Sequence, residues 1–156
     1  MLENRPSNDI DVLCLVGASV CALPLEFVVE TMRALPTEHL AGVPSFIQGV
    51  SVVRGVPTPV VGAAQLLGVD APSRPSRFVL LRLGDRRAAL AVDAVLGVQS
   101  LPSAMTDGLP PLLGDVRADL VERLGMLDGR LLVVMRAAKI VPSVVWHALG
   151  APADLP

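Results

Sequence analysis

The sequence predicts an all-β chain with a few short helices, folded as two small β-barrels that share a core. Three observations carry this expectation. Nine or ten short runs rich in Val, Leu, Ile and Thr are separated by closely spaced turn signals, whereas only two or three stretches read as short helices. A Pro- and Ser-rich linker at 69–76, VDAPSRPS, stands near the middle of the chain. At 156 residues the chain suits one ordinary domain or two very small ones with a common interior. The expected division is 10–72 for the first barrel, 73–142 for the second, and 143–156 for a C-terminal helix and tail.

The elements follow in order. Runs 11–16 and 20–25 flank Gly17-Ala18-Ser19 as a hairpin, and Pro24 bends or ends its second strand. Segment 25–34, LEFVVETMRA, reads as a strand because Val28, Val29 and Thr31 are β-branched, and alternation puts Val28 and Glu30 on one face. Segment 37–40 reads as a turn or a single helical turn.

The most informative stretch is 43–68. Val50, Ser51, Val52 and Val53 favour a strand, and Arg54-Gly55 reverses it, since Gly55 takes a positive φ without steric cost. The turn lifts Arg54 to a rim. Pro57 and Pro59 cannot donate to a ladder, so the returning strand is expected at a sheet edge or beside a bulge. Residues 62–67 then form a short helix stopped by Gly68.

Past the linker, 77–83 and 87–92 form a hairpin about Gly84-Asp85-Arg86, and 95–101 adds a strand. The Pro- and Gly-rich 102–114 reads as a loop without regular structure, and 116–122 as a helical turn. Runs 123–127 and 131–135 enclose Asp128-Gly129, a strong hairpin signal. Segment 141–149 is a helix with Pro142 in its first turn and Gly150 as its stop.

Composition narrows the function. Hydrophobic residues make up 52% of the chain but aromatics only 3%, with no Tyr, so the core is aliphatic. The longest apolar run, 12–25, is broken by Gly17, Ser19 and Pro24 and falls short of the roughly 20 residues a spanning helix needs, so no direct membrane insertion is expected. The acidic, polar start MLENRPSNDID does not look like a secretion signal, which points to the cytoplasm. The net charge of -2 divides into -4 over 1–72 and +2 over 73–156, with no basic stripe interleaved with aromatics, so no nucleic-acid partner is expected.

Catalytic and cofactor frames are missing. His39 and His147 are isolated, and Cys14 and Cys21 lack CxxC spacing, so no metal site is expected; the two thiols would face each other across the first hairpin as small core residues. No nucleophile elbow, phosphate loop or dinucleotide fingerprint occurs, and no cofactor is expected. Asp107-Gly108 and Asp128-Gly129 fit turns, and Asp93 reads as a side chain that hydrogen-bonds a turn. No catalytic residue is assigned, and the chain reads as a non-enzyme.

A set of short motifs appears in a particular order: A-L-P at 22–24, V-x-E at 28–30, P-x-F-I-x-G-V at 44–50, R-G-x-x-x-P at 54–59, A-x-x-V-D-x-V at 89–95 and G-M-L-D-G-R-L at 125–131. None is specific alone, but their order and spacing resemble the CheW-like domain family of bacterial chemotaxis across most of the chain. The resemblance implies two SH3-like barrels and a non-catalytic adaptor. It would bridge the regulatory domain of a CheA-like histidine kinase to the cytoplasmic tip of methyl-accepting chemoreceptors, with no direct membrane insertion of its own but with recruitment to membrane receptor arrays. It also implies receptor contact at Val28, Glu30 and Arg54. Together with the rim hairpin, the expected protein-binding residues are Val28, Glu30, Val50, Val52, Arg54 and Gly55. Bland alternatives are core packing for Val28 and a mutual ion pair for Glu30 and Arg54.

The sequence departs from the family pattern at Val52, where Asn is usual, at Gly62-Ala63, where Asp-Leu is usual, and at Met135-Arg136, where Leu-Asp is usual. Those losses suggest a divergent member serving an alternative receptor or kinase system. Rival expectations are a CheW-like scaffold that has lost kinase coupling, and a small hydrolase or ligand-binding barrel using Asp93 or Asp128.

Overall fold

Four tight turns reverse the chain where the sequence marks them. The computed structural model describes residues 10–69, 75–101, 106–107 and 119–150. In chain order the strands are β1 (Asp11–Val16), β2 (Ser19–Pro24), β3 (Val28–Arg33), β4 (Ile47–Val53), β5 (Val56–Gly62), β6 (Arg77–Leu83), β7 (Arg86–Val92), β8 (Ala94–Gln99), β9 (Thr106–Asp107), β10 (Val121–Leu127) and β11 (Arg130–Met135); the helices are α1 (Ala63–Leu67) and α2 (Ser143–Ala148). Residues Arg54 and Gly55 take φ of 51° and 79°, and Asp128 and Gly129 take 51° and 80°, so both pairs form the left-handed two-residue turn that matches strand twist.

The strands form a six-stranded sheet ordered β8-β1-β2-β11-β10-β9 and a five-stranded sheet ordered β3-β6-β7-β5-β4. They are the walls of two small barrels, as the sequence suggests. Each sheet holds one parallel join, β2 with β11 and β5 with β7; the remaining pairs are antiparallel. Those joins exchange strands between the halves of the chain. β1 and β2 pair with C-terminal strands, and β6 and β7 pair with β3 to β5, so the expected boundary between 72 and 73 falls within the five-stranded sheet rather than between the sheets.

One apolar cluster draws on both sheets. Val12, Cys14, Cys21 and Leu23 come from the first hairpin, Val79, Leu81, Leu90 and Val92 from the other sheet, and Val133 and Met135 from β11. Trp146 and Val145 of α2 close one side, and Leu66 and Leu67 of α1 pack on the same cluster. Smaller clusters lie on the opposite faces, about Leu13, Val20 and Leu132 in one sheet and about Val60, Phe78, Ala89 and Ala91 in the other.

Local expectations differ in five places. Residues Leu25–Phe27 make a 3₁₀ turn, and the third strand starts only at Val28. Within 37–40 no helical turn forms; instead Glu38 and Val50 exchange two backbone hydrogen bonds of 2.8 Å, so Glu38 caps the edge strand β4. The proline-bearing β5 is flanked by β4 and β7, but its pairing with β7 begins only at Val60, which leaves Pro57 and Pro59 with a neighbour on one side alone. Within the expected loop 102–114, Thr106–Asp107 pairs with β10, and the rest of that segment lies outside the described residues. Val121 and Glu122 belong to β10, not to a helical turn. Residues 70–74 of the linker, and 151–156 of the tail, also lie outside the described residues.

Cys14 and Cys21 sit directly opposite each other, fully buried as free thiols. A hydrogen bond with Cys14, together with burial, pushes the Cys21 thiol well above the usual range. A thiol reagent at neutral pH is therefore expected to label neither cysteine in the folded chain and both in denaturant; rapid native labelling would contradict their placement.

Gly49 shows why the edge needs a glycine. Its φ is +145°, and an added Cβ would collide with the backbone carbonyl of Glu38. Gly49→Ala is expected to lower the melting temperature by roughly 5–10 °C, as read by thermal denaturation.

Candidate protein-binding surface

The third strand carries a fault that sorts its side chains. Val28 pairs with Leu81 and Glu30 with Leu80, so Val29 is an extra residue in a β-bulge. The alternation that would place Val28 and Glu30 on one face is thereby broken. Val28 turns to the shared core and is half-buried against it, while Met32, two residues beyond Glu30, packs with the Phe78 cluster on the opposite face. Val28 thus packs half-buried against the edge of the core, and Glu30 stands apart from it.

Glu30 instead meets Arg54. The guanidinium donates two hydrogen bonds to the carboxylate, Nε to Oε2 at 2.6 Å and Nη2 to Oε1 at 2.7 Å, the paired geometry that fits a guanidinium best. Arg54 is 66% exposed and Glu30 27%. Glu30 lies on β3 and Arg54 at the end of β4, which are the two outermost strands of the five-stranded sheet. In a flat sheet those edges would be roughly 19 Å apart, so the contact requires a sheet rolled into a barrel. The ion pair spans its mouth.

The hydrogen bonds from Arg54 lead the causes that hold the Glu30 carboxyl below its ordinary value, and the nearby charge of Arg87 acts in the same direction. Reciprocally, Glu30 raises the pKa of the Arg54 guanidinium.

Around this pair the rim is apolar. Val52 is 64% exposed and Val56 48%, a large apolar exposure on one short hairpin. Val50 is half-buried, with its backbone held by Glu38, and Gly55 completes the turn. Buried Ser51 anchors the strand from inside: its hydroxyl donates to the Pro36 carbonyl at 2.7 Å and lies 2.9 Å from the Thr37 hydroxyl. The structure therefore gathers Glu30, Val52, Arg54 and Gly55 at one end of the barrel, keeps Val50 beside them, and sends Val28 inward. Val56 and the Arg87 charge are parts of this surface that strand pattern alone did not single out; a count of exposed apolar positions about the Arg54-Gly55 turn would have found Val56.

The acidic candidates for chemistry serve the fold. Asp93 accepts a 2.8 Å hydrogen bond from the Gly17 backbone and borders a void of about 20 Å³, room for about one water. Asp128 occupies the first position of an exposed hairpin turn. A more open groove of about 460 Å³, lined by Phe27, Leu83, Asp85, Arg86, Val141 and Trp146, contains neither Asp93 nor Asp128. Among the described residues no group of three or more His, Cys, Asp or Glu converges to hold a metal ion, and no helix is long and apolar enough to cross a membrane.

Two departures from the motif pattern have local compensation. The amides of Gln48 and Gln65 occupy the space a side chain at Gly62 would fill. Arg136 donates to the carbonyls of Val121 at 2.8 Å and Asp119 at 3.2 Å, fastening the end of β11 to the start of β10. At Val52 the change leaves an exposed valine on the rim.

Comparison with known proteins gives a consistent result. The family model for the CheW-like domain matches residues 12–145. Protein FrzA of Myxococcus xanthus is 37% identical over 115 residues, covering 72% of this chain and 69% of FrzA. The chemotaxis protein CheW of Helicobacter pylori is 21% identical over 129 residues, covering 81% of this chain and 78% of its own length. Among solved structures, the scaffolding protein TtCheW of Thermoanaerobacter tengcongensis superposes with a TM-score of 0.69 at 20% identity, over 85% of this chain and 97% of that one.

The depressed Glu30 value sets a pH signature. Because the folded pKa lies below the unfolded one, the pair's contribution is complete above the unfolded value near 4.5 and is lost as pH falls through the lower folded value. The melting-temperature difference between the native chain and Glu30→Gln is expected to be small and constant near neutrality and to vanish in strong acid. A difference that grows on acidification would contradict the pairing.

Proposed function

The chain belongs to the CheW-like domain family, and from that premise we propose that it is a non-catalytic cytoplasmic adaptor that couples chemoreceptors to a histidine kinase in bacterial signal transduction. The observation that carries this reading is the barrel mouth itself, where an exposed ion pair fixes the Arg54-Gly55 turn beside the exposed Val52 and Val56. Such a surface suits docking of a preformed partner: the apolar side chains supply area to bury, and the ion pair holds the hairpin still before contact. In this reading Glu30, Val52, Arg54 and Gly55 face the receptor's helical tip, with Val50 supporting them and Val28 acting from beneath as packing. The kinase's regulatory domain pairs with sheet edges of the adaptor, the mode by which extended strands add to an exposed sheet.

The departures at Val52 and Arg136 favour a divergent receptor or kinase system over the common one. The same reading separates coupling from scaffolding alone: an adaptor captures both receptor tip and kinase domain, whereas a scaffold that has lost coupling captures only the receptor.

The test uses the receptor tip and the kinase regulatory domain from the same organism as bait. Val52→Asp and Arg54→Glu are each expected to abolish receptor capture while leaving the melting temperature nearly unchanged, because both side chains are exposed. Undiminished capture by both variants would overturn the assignment of this surface.

A further inference from the structure

Glu30 has more cationic company than Arg54. After the bulge, Glu30 shares a face of the sheet with Leu80 of β6. Two residues along β6 on that face stands Arg82, directly opposite Arg87 of β7. Arg87 is near enough to act on the Glu30 carboxylate. Arg54 and Arg87 thus both act on the Glu30 carboxylate at the mouth of the barrel, and Arg82 stands directly opposite Arg87.

The direct pairing of Arg82 with Arg87 is unfavourable for the isolated chain. Like charges placed directly opposite in an antiparallel pair destabilise it. Arg82 is exposed and Arg87 half-buried, and among the described residues neither forms a salt bridge; the Glu30 carboxylate is already engaged by both nitrogens of Arg54. The charge of Arg87 reaches the carboxylate that Arg54 holds, and Arg54 follows the strand that carries the exposed Val52.

We infer that the Arg82-Arg87 pair is a recognition site for acidic side chains on the partner, so that the receptor tip docks with one or two carboxylates over these guanidiniums while its apolar side chains cover Val52 and Val56. The inference rests on the proposed receptor contact for the identity of the occupant. Charge complementarity selects a carboxylate-bearing protein segment: a planar guanidinium pairs with a carboxylate through two hydrogen bonds, whereas the Glu30 carboxylate within reach of Arg87 and the chain's net charge of -2 both oppose an extended polyanion.

The experiment is a titration of the full chain with the receptor's cytoplasmic tip at about 50 mM and about 300 mM salt. Arg82→Gln/Arg87→Gln is expected to bind about tenfold more weakly at the lower salt, with the gap narrowing at the higher. Its melting temperature should equal or exceed that of the native chain, because a like-charge pair has been removed. Arg33→Gln/Arg77→Gln removes the same charge from the other directly opposed arginine pair, between β3 and β6, and should bind as the native chain does. Unchanged affinity in the first double variant, equal loss in both, or a fall of several degrees in its melting temperature would overturn the inference. So would binding of the native chain to phosphatidylserine vesicles that the same variant abolishes. If Val52→Asp loses receptor binding while Arg82→Gln/Arg87→Gln keeps it, the proposed contact stands and the acidic recognition falls; if all these variants bind normally, both fall.

Discussion

Each sheet buries one face against the same apolar cluster, and that constraint decides where every other residue can go. Leu23, Leu81, Leu90 and Val133 meet there from strands far apart in sequence. Truncating such a leucine to alanine costs about 2–5 kcal/mol, a large share of the 5–15 kcal/mol or so that a domain has in total. The two parallel joins follow from this requirement. β2 must lie beside β11, and β5 beside β7, for both halves of the chain to present apolar faces to one interior. The barrels are therefore interdependent, which suits a chain too short to build two separate cores.

What the shared core does not use is left at the ends of the barrels. The bulge at Val29 sends Val28 inward and frees Glu30 to reach Arg54, so one extra residue in a strand separates a packing role from a surface role within the V-x-E motif. Closing a rolled sheet with an exposed ion pair adds little to stability, because solvent screens it. Its value is geometric: the turn is held in one conformation with its apolar flank outward. Of the other acids, Asp93 binds the first turn and Asp128 forms one, and the chain belongs to a family of adaptors.

Local chemistry was legible in the sequence, and distant pairing was not. Arg54-Gly55 and Asp128-Gly129 announce their hairpins because a two-residue turn depends only on its own dihedral angles. Asp93 was readable as a turn binder, and its contact with Gly17 agrees. The strand pairings across the linker were not legible, because they are set by core complementarity between segments more than 60 residues apart, such as β2 and β11, which no local pattern encodes. Glu38 was missed as a strand partner because a single bridge needs no run of β-formers. The common face assigned to Val28 and Glu30 failed for a similar reason: alternation assumes an unbroken ladder, and nothing in V-V-E marks Val29 as the inserted residue. Of the surface, Arg54 at a rim was visible from the turn, whereas its closure of the barrel required the sheet order.

The most direct measurement is amide hydrogen exchange of the full chain, alone and bound to the cytoplasmic tip of a receptor from the same organism. Docking at the barrel mouth should slow exchange in the Arg54-Gly55 turn and the adjoining ends of β3, β4 and β5, with little change along β8 and β10. Protection confined to β8 or to the groove beside Trp146, with the turn unaltered, would place the working surface elsewhere.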